Sequence, residues 1–199
     1  MTPDEVRPFF THEDGGYRFA RWTGPIRPLV LGGDLSAEAL LAGHEEAAAL
    51  SGQRVEAPAH PGAMTYAILL VREWRELIEV PGLGAFLPDV AKLASGLAAG
   101  GFNQQRHFRF DHTGGIASCL ALVRTGGRLG AYPRETLAFR QAVLAHLYWS
   151  IPKLAAHNLA GPDGALLPAV AALLKAGYRA SVPAASRDPA HAALIAAET

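Results

Sequence analysis

Hydrophobic and polar positions change period several times along the chain, and each change marks an element. Tyr17-Arg-Phe-Ala-Arg-Trp22 alternates, with Tyr17, Phe19 and Arg21 on one face and Arg18, Ala20 and Trp22 on the other, the period of a strand. Thr23-Gly24-Pro25 breaks it before a second strand, Ile26 to Leu31, in which Pro28 cannot donate to a ladder and favours an edge. Asp34 or Ser36 then caps a helix from about Ala37 to Leu50, and Ser51-Gly52 stops it. Gln53 to Glu56 reads as a short strand followed by a proline-rich connection.

The next segment predicts the clearest helix. Ala67, Leu70, Val71, Trp74, Leu77 and Ile78 form a stripe at helical spacing behind a Thr65 cap, with Arg72/Glu76 and Arg75/Glu79 as i, i+4 pairs. A second amphipathic helix (Leu87, Val90, Leu93, Ala94, Leu97) runs to Gly100-Gly101. Arg106 to Asp111, a loop at His112 to Gly115, and Ile116 to Arg124 read as a hairpin, expected to sit centrally because its second strand is nearly all apolar. Helices follow at Pro133 to Ser150, Pro152 to Leu159 and Ala165 to Ala176, with Gly177 at the last C-terminus. Two hairpin-like strand pairs separated by helices predict an α+β fold, with an antiparallel or mixed sheet covered by amphipathic helices on one face. With no repeat and no long linker, residues 1–199 form a single domain, whose tail from about Ala180 is either loose or packed on a neighbouring subunit.

Composition narrows the class. Half the residues are apolar or aromatic and only 18% are charged, so the chain has the material for a core. The amino terminus is acidic where a secretory signal is basic, and no apolar run approaches the roughly 20 residues a membrane helix needs. A soluble, cytoplasmic protein follows by elimination. Basic and acidic residues both number 18, which argues against nucleic acid as a partner. The first hundred residues carry 8 basic and 13 acidic side chains and the remainder 10 and 5, a split that favours docking of the two halves on each other.

Candidate chemistry centres on Gln105, His107, Arg109 and Asp111. As a strand, this stretch places all four on one face, with neighbours about 7 Å apart. His107 and Asp111 are the candidate catalytic pair for proton transfer, and Gln105, Arg109 and Arg128 the candidate ligand-binding groups for an anion, with Arg106 nearby. The competing account of the same row is an ordinary solvated sheet face. His12 with Glu13 and Asp14, His44 with Glu45 and Glu46, and His107 with Asp111 and His112 match no metal-ligand spacing, so no metal is expected, and no cofactor is indicated. Cys119 lies in an apolar run and reads as a structural thiol. Gly126-Gly127-Arg128-Leu129-Gly130 and Leu31-Gly32-Gly33-Asp34 sit where phosphates are held in other folds but lack the glycine spacing. His146, Tyr148 and Trp149 read as packing or subunit contact. Two functions fit: binding or acting on a small anionic metabolite, or non-enzymatic homo-oligomeric assembly. No motif decides whether the protein is an enzyme.

Overall fold

The computed structural model describes residues 1–150, 159 and 166–199. Its centre is a four-stranded mixed sheet with strand order β2-β3-β5-β4, formed by β2 (Pro28–Gly32), β3 (Tyr66–Val71), β4 (Gln104–Phe110) and β5 (Ile116–Arg124). β2, β3 and β5 are parallel, and β4 runs antiparallel to β5. The α+β class and the mixed, helix-covered sheet are as the sequence predicts. Pro28 lies on an edge strand, as its missing N–H requires.

The stripe read as the clearest helix is instead β3 followed by a 3₁₀ segment, Trp74–Glu79. All six residues of Tyr66-Ala-Ile-Leu-Leu-Val71 are buried, because the strand has helices over both faces. A strand covered on both sides has no polar face to display period 2, so its apolar run imitates a helix stripe. The tertiary setting also reassigns the expected ion pair: Glu76 turns back to accept the Arg72 and Glu73 backbone N–H groups.

Helices lie on both faces of the sheet, where one was expected. Tyr66, Ile68 and Leu70 of β3, with Cys119, Ala121 and Val123 of β5, face α2 (Ala37–Ser51) and α5 (Arg134–His146). Ser36 caps α2 by accepting from Ala39 N–H, while Asp34 pairs with Arg134. Leu69, Val71 and Leu122 face the 3₁₀ segment, α3 (Leu83–Phe86) and α4 (Val90–Ala99) through Trp74, Leu77, Leu87 and Leu97. The ion pairs Arg134 to Asp34 and Arg124 to Glu73 join the basic half of the chain to the acidic half.

Of the two expected strand pairs, only β4 and β5 form a hairpin. The first strand shortens to β1 (Phe19–Ala20) and pairs with β6 (Ala185–Ser186) from the tail. Ile26 forms an isolated bridge to Val55 within the predicted short strand. The tail packs on its own chain: beyond β6, α7 (His191–Ala196) buries Ala192 and Ile195 in a core shared with α1 (Pro3–Val6), Phe9, Phe10 and α6 (Pro168–Gly177). The helix predicted from Pro133 ends at His146. Leu147 is extended and bridges Arg21, and Tyr148 N–H donates to Ala20 O. The predicted helix over 152–159 falls almost wholly outside the described residues.

Gly43 sets the distance between α2 and α5. A Cβ there would lie 2.8 Å from both Ala138 C and Phe139 N, which are backbone atoms that cannot rotate away. Helix propensity alone makes Gly→Ala favourable by about 1 kcal/mol, but forcing two backbones apart costs about 1 to 3 kcal/mol. Gly43→Ala is therefore expected to lower the urea midpoint at unchanged slope. A higher midpoint would show that this crossing is loosely packed.

Candidate functional site

The alternation of β4 is observed, but its two faces meet different surroundings. Gln104, Arg106 and Phe108 face the α2/α5 side, where Phe108 meets the sheet core and Arg106 meets Gln141. Gln105, His107 and Arg109 point the other way. β4 is the outer strand of the sheet, so the hairpin contributes one central strand, β5, and one edge.

The predicted row does not converge. Arg109 is exposed, and Asp111 folds the hairpin loop: its carboxylate accepts from Thr113 N (2.8 Å), Thr113 Oγ1 (2.6 Å), Gly115 N (3.1 Å) and Thr23 Oγ1 (2.6 Å). Those donors hold its pKa far below the usual carboxylate range, the Thr113 hydroxyl foremost. His107 is half-buried, and burial lowers its pKa; among the described residues its Nε2 has no hydrogen-bond partner. Arg128 is exposed on a 3₁₀ turn beyond the far end of β5. Cys119 is a buried free thiol whose pKa burial pushes up to about 12, the inert state expected of it. Among the described residues no group of three or more His, Cys, Asp or Glu side chains can hold a metal ion, and no helix is long and apolar enough to cross a membrane.

A groove of about 840 Å³ runs along β4. Its floor includes Gln104, Gln105, Arg106 and Phe108. One wall is α4 with its entry, Pro88 to Leu97, and Phe102; the other is the loop from His12 to Arg18 with Tyr148 and Trp149. The second wall is built by aromatic contacts. His12 stacks on Tyr148 at 4.4 Å between ring centres, and Tyr148 stands edge-on to Phe108 and Phe110 at 5.2 and 5.1 Å. The loop is pinned by the Arg18 to Asp14 ion pair and by the His12 ring, whose Nε2–H donates to Arg18 O at 3.4 Å. Glu13, Asp14 and Asp89 outnumber Arg18 and Lys92 around the walls by one charge, and the floor carries one further charged group.

That group is Arg106. Its Nη2 donates to Gln141 Oε1 and to Gln104 Oε1 (3.3 Å), and Gln141 Nε2 donates to Gln104 Oε1 at 3.0 Å. Both acceptors are neutral. Nε is sealed from solvent without a partner, whereas Nη1 makes no hydrogen bond and is not sealed. Burial lowers the Arg106 pKa, opposed by Tyr66 and Cys119, yet a guanidinium stays charged in a protein. Burial also raises the pKa of both neighbours, so they remain neutral and supply no counter-charge. Among the described residues no carboxylate pairs with Arg106.

Of the site residues singled out in the sequence, Gln105 and the nearby Arg106 line this groove, and His107, Arg109, Asp111 and Arg128 do not. Sequence reasoning missed Gln104, Gln141, Tyr148 and the His12 to Arg18 loop. Gln141, 1% exposed on a helix whose other buried residues are apolar apart from His146, was the available signal, because a buried carboxamide demands a polar partner. No protein-family model, curated protein or solved structure matches the chain, so the geometry carries the functional reading.

Proposed function

We propose that the protein binds a small anionic molecule in the groove along β4, with Arg106 receiving its negative group. One observation carries this reading: a permanently charged guanidinium is enclosed among neutral partners on the floor of a groove, with no carboxylate beside it among the described residues. A half-buried cation with a sealed, unpartnered Nε and no counter-charge carries a desolvation cost, and an anionic ligand supplies that counter-charge. The volume lies within the roughly 300 to 1,000 Å³ of small-molecule sites. His107 and Asp111, the pair suited to proton transfer, do not line the groove, which favours binding over catalysis.

Thermal unfolding in the presence of acetate, 3-phenylpropionate or inorganic phosphate tests the proposal. At least one anion is expected to raise the melting temperature with concentration, as any ligand of the folded state must. Arg109→Ala and Arg128→Ala should respond as the parent does. No stabilisation by any of these anions, or equal dependence on Arg109, would overturn the placement at Arg106.

A further inference from the structure

The outer edge of β4 adds a second recognition element to the same groove. Arg124 N–H donates to Asn103 O at 2.8 Å, which makes 103 and 124 a hydrogen-bonded pair. In an antiparallel ladder such pairs alternate, so Gln105 with Leu122 and His107 with Leu120 also exchange bonds. The backbone N–H and C=O groups of Gln104, Arg106 and Phe108 therefore point away from β5, toward the open edge. Among the described residues none of these groups has a backbone partner. The edge thus offers amide donors and acceptors at the floor where the Arg106 guanidinium lies, between walls that contribute Leu93, Leu97, Phe102, Tyr148 and Trp149.

We infer that the ligand is the carboxyl-terminal end of an extended peptide or an N-acylated amino acid, its carboxylate on Arg106 and its amide on the outer edge of β4. This rests on the anion-binding reading above and narrows it to one class. Among the described residues Arg106 is the one cation on the floor, which matches a monoanion; a phosphate dianion would bring a second negative charge into a groove whose walls already carry three carboxylates. The edge amide groups, without backbone partners among the described residues, match a ligand that carries its own amide beside the acid, as in strand addition at a sheet edge. The apolar walls match a hydrophobic side chain or acyl group.

The test is titration calorimetry of the intact protein with four probes: N-acetyl-leucyl-phenylalanine, its C-terminal amide, 3-phenylpropionate and inorganic phosphate. The free acid is expected to bind at least about tenfold more tightly than either its amide or 3-phenylpropionate, since each of those lacks one element worth on the order of one hydrogen bond or more. Amide proton shifts at Gln104, Arg106 and Phe108 in the complex, absent with 3-phenylpropionate, would confirm use of the edge. If 3-phenylpropionate or phosphate binds as tightly as the peptide acid, the edge is not read; the peptide class falls and anion binding stands. If the peptide amide equals the acid, Arg106 does not read the carboxylate and the inference falls. If no probe binds, both readings fall.

Discussion

Arg106→Met is expected to raise stability in anion-free buffer, by about 1 kcal/mol, because replacing a half-buried charge with an apolar side chain of similar length removes a desolvation cost. The same substitution should abolish stabilisation by anions. Gln104 and Gln141 keep their mutual hydrogen bond at 3.0 Å, so the carboxamides are not both orphaned. Urea unfolding of parent and variant, with and without 3-phenylpropionate, measures both effects. The combination of a stability gain with a loss of ligand response is what a binding residue gives and a structural one does not. A variant that is destabilised would instead make Arg106 a structural tie for the two glutamines, and the anion reading would lose its central observation.

The second large effect is acid sensitivity. His12, His44, His107, His146 and His191 all have lowered pKa values, burial being the leading cause in each. His146 Nδ1–H donates to Ala142 O at 2.8 Å, leaving Nε2 sealed without a partner, and its pKa falls to about 4. His44 stacks 5.7 Å from it with neither nitrogen hydrogen-bonded among the described residues, and its pKa lies well below the ordinary value. The unfolded chain takes up protons near pH 6.5, and the folded one resists them. The stability these groups confer is therefore complete above about pH 6.5 and lost as pH falls toward 4, on the order of 3 kcal/mol for His146 alone. Urea midpoints should drop steeply between pH 7 and 5, and His146→Leu should flatten that slope. A flat profile in the parent would mean that these imidazoles are protonated in the folded state.

Legibility differed between elements for physical reasons. The helices α2, α4 and α6 and the hairpin were readable because each has a distinct polar side or a glycine stop, so local pattern and final environment agree. β3 was not, because a strand covered on both faces shows only an apolar run. The groove was legible only in part. Strand alternation grouped Gln105 with His107, Arg109 and Asp111, of which only Gln105 lines the groove, and Asp111 looked like a catalytic carboxylate when its neighbours Thr113 and Gly115 claim it for the loop.

The chain by itself determined its class, its edge proline, the inert thiol at Cys119 and the extended run through Arg106, since each follows from side-chain chemistry and local period. Tertiary structure alone decided that β1 pairs with the tail, that helices cover both faces, and that β4 is an edge. It also decided that, among the described residues, the enclosed Arg106 has no carboxylate beside it. That property depends on the surroundings of Arg106, and these come from Gln141, Tyr66 and Cys119, residues 13 to 40 positions away in sequence that only folding brings together.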